Sequence, residues 1–418
     1  MAQSKTLSLP SVLLLGANGI IGSGIFLLPQ KLYQEAGWNS LLAIALAGAT
    51  TTIIALNYAH LASCHDRDGG AWSYADAAFG DFAGFTTGWF AWFLGIITIA
   101  AEVAAFLTTL GGLWPAIHQR PLYIGVALGL IGLLGVINWF GPGLIKPADN
   151  LASGFKLTVI LIFVIGGGWA VSHTGWILTP LTDTHDQLLT GAVAAFYMFT
   201  GFSFLPTAAH DMRNPTKVLP IALVTIMLVV SDVYMLVQAV TVALLGPALA
   251  HSSLPVAAAF ATIFGPWGRG IILVGMLGSI LGVALAVAFA APLGAASMAQ
   301  SPRLLPAVFG RNNRHGAPGL AIIITTGIAG LLVVSGGYLF LVQLIIWCSF
   351  LQYIITALAA LRLTPLTRPW WEKWPVPIMT IAIVLVLLPQ FDWSTYLLGG
   401  LVFLVGCGIY AIDRHSAT

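Results

Sequence analysis

Two ionisable residues stand where hydrocarbon-like surroundings make charge expensive. Glu102 lies in the run Thr98-Ile99-Ala100-Ala101-Glu102-Val103, and Lys156 in Phe155-Lys156-Leu157, each within a long apolar stretch. A charge inside such a span costs at least about 2.5–3.5 kcal/mol, so each needs a reason. Glu102 has three readings: a proton carrier, a partner for a substrate amine, or a structural hydrogen bonder. Lys156 lies about six residues, or roughly 9 Å, into its expected helix. It either snorkels to the nearby interface or turns its ammonium onto backbone carbonyls, where it is a second candidate proton site. Asp232 sits near the middle of a third apolar stretch, and no partner for it is evident. The nine histidines fall in expected loops or at helix ends and read as solvated.

Two segments are built to break a helix. The first reads Gly16-Ala17-Asn18-Gly19-Ile20-Ile21-Gly22-Ser23-Gly24-Ile25-Phe26, with four glycines in nine residues. Each weakens a helix by about 1 kcal/mol relative to alanine. The second reads Tyr197-Met198-Phe199-Thr200-Gly201-Phe202-Ser203-Phe204-Leu205-Pro206, with Gly201 and Pro206 as weak points. Both breaks fall about thirteen residues into their spans, roughly 20 Å deep, and the two spans enter from opposite sides. Such a pair points to an inverted-repeat transporter with its site at the bilayer midplane. Free N–H groups at a broken end suit a carboxylate, and free carbonyls suit an ammonium. An amino acid carries both. The alternative is that these glycines only permit close helix packing.

The elements that hold these residues are membrane helices. The chain has 418 residues, 58% hydrophobic and 7% charged. A soluble domain carries about 25% charged residues, so a water-soluble globule is excluded. At roughly 20 apolar residues per span, the apolar content fills about twelve spans. They are expected at about 11–33, 39–62, 83–112, 121–139, 150–172, 188–209, 219–245, 270–298, 318–335, 338–361, 374–390 and 394–412. A barrel would show short alternating segments, which are absent. The stretch around 248–267 reads as an external loop with a short helix, and no separate soluble domain is visible, so residues 1–418 are read as one membrane domain.

Basic residues set the orientation. With a cytoplasmic N-terminus only Lys31, Arg120 and Arg269 fall outside, and the other thirteen of the 16 Lys and Arg residues fall inside. An even number of spans then puts both termini in the cytoplasm of a cell whose inner membrane holds the chain. The formal charge of +2 offers no footprint for nucleic acid. The polar start Met1–Ser8 has no cleavable-leader pattern. Cys64, Cys348 and Cys407 have no metal-ligand spacing. Neither hydrolase nor phosphate-loop motifs are present, so no cofactor, metal or catalytic residue is expected and ATP-driven pumping is disfavoured.

The motifs carry a family resemblance. Asn18-Gly19-Ile20-Ile21-Gly22-Ser23-Gly24-Ile25-Phe26 resembles the first-helix signature of the amino acid–polyamine–organocation (APC) transporters. Gly69-Gly70-Ala71-Trp72-Ser73-Tyr74 and Ala78-Phe79-Gly80 resemble the family's loop after helix 2. Phe199-Thr200-Gly201-Phe202 with Asn214-Pro215 and Leu219-Pro220 resembles its sixth-helix region, and Gly278-Ser279 with Leu304-Leu305-Pro306 its eighth helix and exit. The order of these motifs from about residue 16 to 320 is more specific than any one of them, and the closest flavour is a bacterial amino-acid permease.

The resemblance implies an all-α, LeuT-like fold of twelve helices, five plus five as inverted repeats with two appended, and with helices 1 and 6 broken. It implies a substrate carboxylate held by N–H groups around Gly22, Ser23 and Gly24. The amine would meet carbonyls near Ile20, Ile21, Phe199, Thr200 and Phe202, beside Gly201 and Ser203, with Tyr197 as an aromatic gate. It also implies that Lys156 stands where sodium-dependent relatives bind the ion. There are departures. Ser203 stands where members commonly have glutamate, His210 where they often have an acid, and Val283 where cationic-substrate relatives carry a bulky residue. The expected function is a sodium-independent secondary transporter of amino acids, proton-coupled or an exchanger, with lipid as its surroundings. An amine or polyamine antiporter is the alternative; a channel or nutrient sensor fits less well, since no pore-lining ring of charge or sensor domain is visible.

Overall fold

The computed structural model describes residues 8–64, 70–141, 145–175, 187–212, 214–300, 304–365 and 373–416. Among these residues there is no strand, only an isolated bridge between Asn312 and Pro318. In a medium without water, helices are the elements that satisfy their own backbone.

The chain opens with α1 (Leu9–Ile20), a short α2 (Gly24–Leu27) and α3 (Pro29–Ala36). Then come α4 (Ser40–Cys64), α5 (Ala71–Phe79), α6 (Asp81–Gly111), α7 (Arg120–Trp139) and α8 (Ile145–Thr174). α9 (Leu188–Phe196) runs into a 3₁₀ turn at Tyr197–Phe199 and a 3₁₀ helix at Phe202–Asp211. α10 (Pro215–Leu245), α11 (Pro255–Gln300), α12 (Gly319–Ser335) and α13 (Tyr338–Leu363) follow, then helices Pro375–Leu387 and Trp393–Ser416.

Nine helices among the described residues are long and apolar enough to cross a membrane. Three of the expected spans fall instead on shorter apolar helices, Leu9–Ile20, Gly319–Ser335 and Pro375–Gln390. The first is short because the glycine-rich run ends it at Ile20. The expected loop after helix 2 is corrected: residues 71–79 form α5, which buries Ala71, Tyr74, Ala75 and Ala78 at helical spacing. Glycines at each end hid it in the sequence. Gly80, at φ 87°, makes the sharp turn from α5 into α6 that a side chain would disfavour. α11 is broken at Gly265, so the stretch around 248–267 contains a 3₁₀ turn, a short helix and the start of the long one.

α6 is the centre of the molecule. Its apolar window is 78% buried, against 22% for α7, so α6 is scaffold and α7 faces outward. α6 packs on α11 and α13, with Gly95 so close to Ala291 that a Cβ at 95 would lie 2.6 Å from the alanine Cβ. α10 packs on α4 and α1, and α8 on α11. The two broken segments lie between these groups.

Candidate functional site

The first break follows from the loss of helical geometry at Ile21, whose ψ is 97°. Ile21 N–H still closes on Ala17, and α2 restarts at Gly24. The second break spans Thr200, which is extended, and Gly201, at φ 105°. The two breaks touch. A Cβ at Gly201 would lie 2.4 Å from the carbonyl oxygen of Gly19, so only glycine lets these backbones meet.

Glu102 joins both breaks to the scaffold. It is buried on α6, and its Oε1 accepts from Ser23 N–H at 3.3 Å, Ser23 Oγ at 3.1 Å and Tyr197 Oη at 3.2 Å. Ser23 Oγ also lies 3.0 Å from Tyr338 Oη at the start of α13. Gly22 is required beneath this carboxyl, because a Cβ there would stand 2.7 Å from Oε1. Glu102 Oε2 has no hydrogen-bond partner among the described residues. Of the three N–H groups expected to take a substrate carboxylate, that of Ser23 is thus bonded to the protein's own carboxyl.

Lys156 is 2% exposed, so it does not snorkel. Its Nζ donates to Asn18 O at 2.8 Å and Asn18 Oδ1 at 2.7 Å. α8 begins at Ile145, earlier than the expected start near 150, so Lys156 lies about 16 Å along the helix from its first residue. Lys146 and Pro147 disguised the start, since proline is tolerated in a helix's first turn. Tyr234 of α10 ties the breaks from behind, its hydroxyl donating to Met198 O at 2.6 Å and Ile20 O at 3.3 Å.

A cavity of about 400 Å³ opens onto this arrangement. Ile20, Gly22, Gly24, Glu102, Tyr197, Thr200 and Gly201 line it, with Leu94, Val283 and Val287 as apolar wall. Five expected contact residues are not in this lining, Ser23 among them, which is fully buried with its N–H and hydroxyl on Glu102. Ile21 is buried in the core. Phe199 packs edge-on to Tyr234 with ring centres 5.2 Å apart, and Phe202 stacks on Tyr353 at 5.5 Å. Ser203 lines a neighbouring cavity of about 450 Å³ with Trp72, Trp92 and Gln352. The two cavities share Phe204, Phe289 and Ala290. Asn18, Tyr234 and Tyr338 were missed by sequence reasoning. The signal available was that a buried tyrosine hydroxyl in an apolar helix needs a partner. His60, expected in solvent, bonds Thr364 Oγ1 at 2.8 Å. The side chain of His210 lies outside the described residues.

Comparison with known proteins agrees with the motif order. Residues 7–400 match the family model described as Amino acid permease. The chain belongs to the amino acid permease family, within the APC superfamily. It is similar to an uncharacterized transporter of Mycobacterium tuberculosis, with 30% identity over 84% of this chain and 79% of the relative. Two Arabidopsis thaliana proteins match more weakly. Cationic amino acid transporter 9, chloroplastic, is 26% identical over 62% of this chain and 48% of its own length. Cationic amino acid transporter 2, vacuolar, is 24% identical over 78% of this chain and 54% of its own. The family and the apolar helices together make this a multi-pass membrane protein.

Proposed function

We propose that this permease-family chain is a sodium-independent secondary transporter of amino acids working by alternating access, proton-coupled or as an exchanger. The observation that carries the reading is Glu102. A buried carboxyl on an unbroken scaffold helix bonds to Ser23 at one helix break and to Tyr197 beside the other, on the wall of a cavity sized for a small solute. A group placed there couples the two moving segments to whatever binds between them. In this reading twelve spans form the five-plus-five repeat with helices 11 and 12 appended, both termini face the cytoplasm, and the bundle of helices 1, 2, 6 and 7 rocks against the rest. The chain lies in a cytoplasmic membrane. Gly22, Ser23 and Gly24 receive the substrate carboxylate, with Ser23 exchanging its bond to Glu102 for one to substrate. Ile20, Thr200 and Gly201 supply backbone for the amine. Lys156 holds the place of a sodium ion, and Glu102 carries the proton.

The apolar wall at Leu94, Val283 and Val287 favours a neutral side chain. The second reading is an amine or cationic substrate. It is favoured by Glu102 Oε2, which has no partner among the described residues, and by the similarity to the Arabidopsis cationic amino acid transporters. A panel of labelled neutral amino acids, cationic amino acids and amines, offered to proteoliposomes with and without a pH gradient and sodium, tests both. Uptake of amines alone would overturn the first reading, and no uptake or exchange of any member would overturn both.

A further inference from the structure

The two cavities run in series toward one end of the molecule. Along α6 the first is lined by Glu102, Thr98 and Leu94 and the second by Trp92 and Gly88, so the path covers fourteen residues, or about 21 Å. Along α11 the lining passes from Val283 to Met298, beside the end of that helix, and takes in exposed Leu293 and Gly294. On α13 the second cavity meets Gln352. Tyr338 begins that helix, fourteen residues earlier and so about 21 Å back along it. It stands at the end of the path that holds Glu102, away from the mouth.

That end is closed by hydroxyls. Ser23 is wholly buried and sends its hydroxyl hydrogen to Glu102 Oε1, as Tyr197 does. An accepting carboxyl oxygen returns no hydrogen, so at the 3.0 Å contact between Ser23 Oγ and Tyr338 Oη the phenol is the donor. The Tyr338 ring meets the Tyr197 ring edge-on, with centres 6.2 Å apart. Burial falls quickly along this chain. Glu102 and Ser23 are buried, Tyr338 is half-buried, and Gly337 before it is exposed. α13 packs on α6, the scaffold helix that carries Glu102. One phenol hydrogen therefore ties the scaffold to the first helix break on the side away from the mouth.

We propose that Tyr338 is the latch of that side: its O–H, held on Ser23 Oγ, keeps the first break against the start of α13, and solute enters there only when the bond opens. The inference rests on the alternating-access reading and adds to it the bond that closes one side. The test uses the full chain in sealed membrane vesicles of either orientation, with Cys64→Ser, Cys407→Ser and a reporter, Ala286→Cys, on the cavity wall. Cys348 is buried and stays; the same chain without the reporter gives the background. A membrane-impermeant maleimide should label the reporter quickly from the mouth side and slowly from the Tyr338 side. Tyr338→Phe keeps the ring on Tyr197 and removes only the donor. It should raise labelling from the Tyr338 side by about twofold to tenfold, the range spanned by one hydrogen bond, without raising it from the mouth side. A merely structural tyrosine would not favour one side. Ser23→Ala removes the acceptor, so adding Tyr338→Phe to it should change nothing more. One-sided labelling of the wild type with an unchanged Phe variant would overturn the latch alone, as would a Phe effect that persists in the Ser23→Ala background. Equal labelling of the wild type from both sides would overturn the alternating-access reading, and the latch with it.

Discussion

Gly201 presses directly against the carbonyl oxygen of Gly19, 2.4 Å from where a Cβ would begin. The two broken segments therefore meet at a point without side chains, and each fixes the other's depth. Gly201 also holds φ at 105°, which L side chains rarely adopt. Gly201→Ala combines strain and collision, and strain of this kind costs about 1–3 kcal/mol. We expect a lower unfolding midpoint and an opened cavity, checked by thermal melting and by substrate affinity on the same purified sample. Unchanged affinity would show that the breaks do not need to touch.

Glu102→Gln keeps the carbonyl acceptor for Ser23 and Tyr197 but removes the ionisable group. If Glu102 carries the proton, gradient-driven accumulation should fall by about tenfold or more, equivalent to 1.4 kcal/mol, while counterflow exchange stays near wild type. Glu102→Ala should lose both, because Ser23 and Tyr197 then lack their acceptor. Measuring uptake and counterflow in one vesicle preparation separates the two roles. Accumulation by the Gln variant at the wild-type rate would reduce Glu102 to a structural tie.

The ionisable members of the site were legible in the sequence because charge and glycine are both expensive inside a span. Glu102, Lys156 and the Gly22-Ser23-Gly24 run stood out for that reason, and the structure brings Glu102 to Ser23 and Lys156 to Asn18. The aromatic members were not legible. Tyr234 and Tyr338 look like core residues along the chain, and only the placement of Ile20 and Ser23 shows what their hydroxyls meet. Phe199 and Phe202 were expected near the substrate from the family resemblance, through their carbonyls, and because helical periodicity lapses at a break the sequence does not tell that their rings pack on Tyr234 and Tyr353 instead. α5 was hidden for a related reason: the glycines flanking it signal turns more strongly than nine residues can signal a helix.

Tyr234→Phe isolates the tie behind the breaks. It removes one hydroxyl that donates to Met198 O and Ile20 O, without changing the ring that packs on Phe199. A typical hydrogen bond contributes about 0.5–1.5 kcal/mol net, so folding should survive. The freed carbonyls lie beside the two breaks, and we expect substrate affinity to drop by about twofold to tenfold, following the same free energy. Isothermal titration of wild type and variant reads this directly. A variant that melts earlier but binds equally would assign Tyr234 to stability alone.

If the first break receives a carboxylate, amino acids should compete for uptake far better than their decarboxylated amines. A hydrogen bond to a charged group contributes about 1.5–3 kcal/mol, so the gap should be about tenfold or more. The comparison is made with one radiolabelled substrate and matched competitor pairs. An amine that competes as well as its parent amino acid favours the second reading and leaves Glu102 as the recognition group.

Lys156 supplies the strictest test of ion dependence. Its ammonium is buried and bonded to both the backbone and side-chain oxygens of Asn18, three residues before the first break. If this ammonium holds the place of a sodium ion, as proposed, transport should be the same in sodium and in choline. Lys156→Ala removes a charge-assisted hydrogen bond to the half-buried Asn18 carbonyl, worth about 1.5–3 kcal/mol, and should slow transport while the protein still folds. Lys156→Arg should rescue incompletely, because a planar guanidinium does not fit where a compact ammonium meets two converging oxygens. Initial rates in proteoliposomes, normalised to the amount of folded protein, check all three. Full activity of the Ala variant, or a strict sodium requirement in the wild type, would remove Lys156 from the mechanism and leave it a link between α8 and α1.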